Sequence, residues 1–193
     1  MNLEVHAQCI ANWLEAVDLT SAPTRIAMMQ EENSSKHTMA LVAAGGGAVE
    51  RAALHESAHA VVANQLGLNV VHTCVRADAS GSAAYEAAET TPDTLLSMAI
   101  ASLAGVALEL LIGCDHCRQF ELANGHDVMS ARMSIGEVLA HAPDWSLNNP
   151  HFAILAVCSV EMNLDLIHRV AGALRSCREL DGAAIEALCG LAH

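Results

Sequence analysis

His55-Glu56-Ser57-Ala58-His59 sets two imidazoles four residues apart, with a carboxylate beside the first. If the segment is helical, residues i and i+4 share a face. Both rings then project toward one ion, and Glu56, one step on, is turned toward the coordination position they leave open. Zinc in such a site lowers the pKa of its water to about 7 and polarises a peptide carbonyl. Glu56 is the expected catalytic base, taking a proton from that water and handing it to the leaving amine. His-Glu-x-x-His on a helix is thus the pattern of zinc-dependent peptide hydrolysis, with His55 and His59 as metal ligands. Composition offers the plain alternative, because 11 His in 193 residues make a chance pair easier. A catalytic zinc also needs a third protein ligand and an open position, so a further His, Asp or Glu must come from elsewhere in the chain.

The segment carrying these residues reads as a helix from about Ala48 to Leu66. It is Ala-rich and free of Pro, has apolar Leu54, Ala58, Val61 and Val62 on a helical repeat, and stops at Gly67. Beyond it, β-branched Val70 to Val75 and Gly81 to Tyr85, separated by Asp78-Ala79-Ser80, predict a small hairpin or ribbon. Thr91-Pro92-Asp93 carries a capping hydroxyl, a Pro at the first helical position and an acid in the first turn. It opens a long apolar helix ending near Gly113, expected to be the central core helix. A connecting segment, Cys114 to Asn124, leads to a helix near Asp127 to His141. Asn149-Pro150 starts what reads as one long helix to about Arg178, and Asp181-Gly182 opens a short terminal one. Hydrophobic residues make up 53% of the chain and aromatics 3%, so the core must be built from Ala, Leu, Val, Ile and Met, which favours close-packed helices. The expected fold is mainly α, a helical bundle with a small β-hairpin and a zincin-like His-Glu-x-x-His helix. Residues 1–47 form an N-terminal helix (Met1 to about Val17) and a flexible linker, and 48–193 the metallopeptidase domain.

Four segments in order resemble the peptidase domain of the FtsH-type family of membrane-anchored AAA+ zinc metalloproteases. Leu54-His55-Glu56-Ser57-Ala58-His59-Ala60-Val61-Val62 is similar to that family's His-Glu-Ala-Gly-His helix. Ala104-Gly105 with Glu109 and Gly113 resembles its Ala-Gly…Glu…Gly helix end. Asn124-Gly125-His126-Asp127-Val128 with Ala131 resembles the segment whose Asp is the third zinc ligand. Leu180-Asp181-Gly182 with Ile185 resembles a signal near the end of the domain. The resemblance spans about Ala48 to Leu188 and implies that Asp127 completes the metal site. It also implies a peptidase acting on peptides or unfolded proteins. The departures are Ala58 where the family has Gly, Gly113 about one residue early, and a short segment after Gly81. No Gly-x-x-x-x-Gly-Lys-Ser/Thr loop is present, so the expectation is a peptidase without an ATPase of its own or a membrane anchor.

Glu109, a carboxylate on an apolar helix, needs a partner if buried and could orient a zinc-bound His; a solvent-facing Glu at a helix end is the plain alternative. Cys114-Asp115-His116-Cys117 has no second Cys pair, so a loop with incidental thiols is favoured over a second metal site. His72, His141, His151 and His168 are isolated. The formal charge of −13 and the lack of any basic cluster argue against nucleic acid and anionic membrane as partners. The charge-free run Thr94 to Leu108 falls short of the roughly 20 residues a bilayer needs. Seven Cys in no disulfide pattern fit a reducing cytoplasm. Expected partners are the peptide or unfolded substrate, a separate ATPase or regulator, and a second copy of the apolar-rich chain. The competing functional reading is a non-catalytic zinc-binding or regulatory module built on the same helices.

Overall fold

The computed structural model describes residues 47–112 and 125–190, together with Gln8 and Ala11. In chain order the elements are α1 (Ala48–Gln65), β1 (Asn69–Val75), β2 (Gly81–Glu86), α2 (Pro92–Leu111), α3 (Gly125–His141), α4 (Asn149–Met162), α5 (Leu164–Cys177), β3 (Glu179–Asp181) and α6 (Gly182–Cys189). The architecture is a mainly helical bundle carrying a small antiparallel sheet, as expected.

α2 is the central helix and packs on α1, α3 and α4. Its start is locally encoded: the Thr91 hydroxyl accepts from the Thr94 N–H while the Thr94 hydroxyl accepts from the Thr91 N–H, and Pro92 supplies the helical φ. By length and composition α2 could cross a membrane, more readily than the charge-free run alone suggests, yet 78% of its apolar window is buried inside the bundle. Alanines on α1 and α2, among them Ala52, Ala60, Ala101 and Ala104, are fully buried, and their small side chains let the helix backbones approach closely. Larger residues such as Leu103, Leu108, Phe152, Ile167 and Leu174 fill the space around them.

Two features depart from the sequence reading. The long helix expected from Asn149 to Arg178 is broken at Asn163 into α4 and α5, which bend by 71°. Asn163 sits at φ −115° and ψ 13°, and its side-chain amide donates to the Ser159 carbonyl at 2.8 Å. Such an amide competes with the helical backbone bonds, whereas the apolar periodicity runs on through the break. The hairpin also gains a third strand, in the order β2-β1-β3. Arg178, left-handed at φ 70°, ends α5 and turns the chain into β3, where Leu180 stands opposite Thr73. Gly182 then passes so close to β1 that a Cβ would lie 2.0 Å from the Val70 carbonyl oxygen. With β1 in the middle, β2 is an edge strand among the described residues.

Of the N-terminal helix expected over Met1 to Val17, only Gln8 and Ala11 are described. Both are helical, and Ala11 is fully buried in the same core. The rest of that segment, Gly113, and the Cys114 to Cys117 cluster lie outside the described residues.

Candidate metal centre

α1 presents His55 and His59 toward α2, and the first turn of α3 brings Asp127 against them. His55 Nε2 lies 3.0 Å from His59 Nε2 and 3.0 Å from Asp127 Oδ2, and His59 Nε2 lies 3.6 Å from the same oxygen. The far side of each ring is tied down. His55 Nδ1–H donates to Glu109 Oε1 at 2.7 Å, and His59 Nδ1–H donates to the Ala101 carbonyl at 2.7 Å. Both anchors come from α2. They settle which nitrogen carries the proton and leave both Nε2 lone pairs facing the carboxylate.

Three acceptor atoms thus converge in a site whose two histidines are buried to 3% and 5% exposure, where their mutual repulsion is poorly screened. A cation relieves it, and His55, His59 and Asp127 form a group that can hold a metal ion. Their ligand atoms lie within 4.8 Å of one another, near enough to share a single ion. In the metal-free protein a proton takes the cation's place. Burial opposes a charge on His55, but the Glu109 and Asp127 carboxylates outweigh it and hold the imidazole well above its ordinary pKa. Burial would raise Asp127, but His59, His126 and His55 hold it well below the usual carboxylate range.

Gly105 on α2 faces the two imidazoles of α1. A Cβ there would stand 2.5 Å from Nε2 of both His55 and His59. The sequence offered Gly105 only as part of a resemblance, and its fit under the imidazoles is a product of packing. Glu109 is 1% exposed, so the solvent-facing alternative for it is excluded.

Glu56 is buried to 7% exposure and lines the cleft beside His55 and His59. Burial raises its pKa, against the pull of the two histidines. Its carboxylate is confined by Gly81, the first residue of β2, where a Cβ would lie 2.7 Å from Glu56 Oε1. The cleft has a volume of about 750 Å³ and extends from this centre along β2 and between α2 and α3. Tyr85 and Ser102 join across its wall through their hydroxyls at 2.9 Å. His126, partly exposed, reaches to 3.8 Å from Asp127 Oδ1; the adjacent Asp127 carboxylate raises its pKa against the effect of burial.

Comparison of the chain with protein-family models, curated proteins and solved structures finds no match. The chemistry of the centre is therefore read from its own residues. Other sequence candidates lie apart from it: the His151 ring caps α4 by accepting from the Asn148 N–H, and the His141 ring bonds the Glu137 carbonyl at the end of α3. His72 and His168 do not line the cleft. Tyr85 and Ser102 had no motif to single them out, and Gly81 and His126, though inside segments read from the sequence, carried no assigned role there; all four take their places at the site through tertiary packing.

Proposed function

We propose that this protein is a zinc-dependent endopeptidase that hydrolyses peptide bonds in peptides or unfolded chains. The observation that carries the reading is the set of three convergent acceptors, His55 Nε2, His59 Nε2 and Asp127 Oδ2, with buried Glu56 beside them at the end of a cleft. The ordered resemblance of four segments to the FtsH-type peptidase domain supports it. A bound zinc would be held by His55, His59 and Asp127 and would supply Lewis acidity toward the peptide carbonyl and toward water.

The chain's own residues do the rest. Glu109 and the Ala101 carbonyl hold the two rings in one orientation, so the ligands need no reorganisation. Glu56, its basicity raised by burial, accepts a proton from the attacking water and delivers it to the leaving amine nitrogen. β2 contributes a backbone edge with no strand partner on its outer side among the described residues, and residues 81–85 line the cleft. An extended peptide can pair with that edge through main-chain hydrogen bonds, a mode that is tolerant of sequence but requires an unfolded segment. Because that edge takes only an extended segment, stably folded proteins are poor substrates unless an ATPase unfolds them.

The test is cleavage of a labelled unfolded protein by the zinc-loaded chain beside an equally zinc-loaded Glu56→Gln variant. Cutting by the unmodified chain alone supports the peptidase. If neither cuts while each holds one zinc, the centre is a binding site and the proposal fails.

A further inference from the structure

The turn between β1 and β2 carries the cleft's only Lys or Arg among the described lining residues, Arg76. Its position is well defined: the Arg76 N–H donates to the Ser80 carbonyl at 2.7 Å, closing the turn next to Gly81. Gly81 in turn abuts Glu56. The guanidinium is exposed, and its Nη1 makes one long hydrogen bond, 3.4 Å, to the Ser80 hydroxyl oxygen. That hydroxyl donates its own proton to Asp78 Oδ1 at 2.7 Å. Among the described residues no carboxylate forms an ion pair with Arg76, in a chain with 22 acidic residues against 9 Lys and Arg. By contrast, Arg175 pairs with Glu50 on the outer surface. An exposed planar cation that touches a carboxylate only through the Ser80 hydroxyl, in a cleft whose other charged lining is the Glu56, Asp127 and histidine cluster of the metal centre, is suited to an incoming carboxylate.

The strand direction says where that carboxylate lies. β2 runs from Gly81 to Glu86, so a peptide added antiparallel to it runs toward Gly81 and Arg76. Resting on the peptidase reading, we infer that Arg76 is a specificity-determining residue that binds a carboxylate on the C-terminal side of the bond to be cut. The carboxylate comes from an Asp or Glu side chain or from the peptide's own C-terminus.

The experiment uses the full zinc-loaded chain and four versions of one cleavable peptide. These carry Glu or Gln shortly after the cleaved bond, each with a free or an amidated C-terminus. Carboxylate-bearing versions are expected to exceed the neutral one in kcat/KM on the order of five- to tenfold, the range for a partly exposed charge-assisted bond. The Glu-to-Gln and free-to-amide ratios identify which source is read. In Arg76→Gln the ratio should fall to about one, in Arg76→Lys it should persist in part, and in Arg76→Glu it should invert. Fluorescence anisotropy of the same peptides on zinc-loaded Glu56→Gln measures the preference without turnover. A binding preference lost in the Arg76→Gln, Glu56→Gln double variant, with no cleavage by any form, upholds the carboxylate site and sinks the peptidase. Cleavage without preference, or a preference that survives Arg76→Gln, overturns the carboxylate site and leaves the peptidase standing.

Discussion

Replacing Gly105 with Ala puts a methyl carbon where the two imidazoles already stand. It would lie 2.5 Å from Nε2 of both His55 and His59, about 1 Å inside the ordinary 3.5–4.0 Å contact distance. Neither ring can swing away freely, because Glu109 and the Ala101 carbonyl hold their opposite nitrogens at 2.7 Å. Overpacking of this kind costs about 1–3 kcal/mol, and Ala in place of Gly in a helix returns about 1 kcal/mol. The metal-free variant should therefore lose about 0–2 kcal/mol, or a Tm decrease of at most about 8 °C for a domain of this size. Metal affinity should suffer far more. Disturbing an outer partner of a ligand alone weakens binding about 10–100-fold, and here both ligand atoms are displaced, so a loss of about 100-fold or more is expected. The assay is zinc titration against a chromophoric chelator, paired with thermal unfolding of the metal-free protein. Gly136→Ala on the exposed face of α3, where a Cβ meets nothing within 4 Å, is the control and should leave affinity unchanged. Gly105→Ala binding zinc as tightly as the parent would refute the placement of the metal between the two Nε2 atoms.

Three further outcomes are expected. Gly81→Ala pushes a methyl against Glu56, 2.5 Å from its Cγ; kcat should fall at least about tenfold with zinc stoichiometry intact, as measured by metal analysis alongside turnover. Glu109→Gln keeps an acceptor for His55 Nδ1 but removes the charge, and chelator competition should report about 10–100-fold weaker zinc; Glu109→Ala should also lower the Tm, by leaving a buried donor unpaired. The third outcome concerns protons. His55 in the metal-free protein is held above its ordinary value of 6.5, so its contribution to stability is full below about pH 6.5 and is lost as pH rises through the raised folded-state value. Asp127 acts oppositely: its contribution is present above its ordinary 3.8 and is lost only as pH falls through its depressed value. Zinc must displace the His55 proton, so calorimetry at neutral pH in buffers of different ionisation enthalpy should report proton release. The Tm gain from zinc should grow from pH 6 to pH 8, and a gain that shrinks with pH would contradict the protonated His55.

Much of this protein is local and could be read from the sequence. His55 and His59 share a face because the four-residue spacing lies within one helix, and the starts of α2 and α4 follow from Thr91-Pro92 and Asn148-Asn149-Pro150 through capping bonds that span three residues. The mainly helical class follows from an aromatic-poor, Ala-rich core. The break at Asn163 was hidden because apolar residues continue across it, and β3 because three residues carry no period. The rest of the centre belongs to the tertiary structure. Asp127 and Glu109 are 72 and 54 residues from His55, and no spacing rule reaches that far. Their places are set by α2 lying between α1 and α3, close enough that only a glycine fits at position 105. The residue types were available to the sequence; the distances at which they repel, bind a proton or hold a metal were decided by how closely the helices pack.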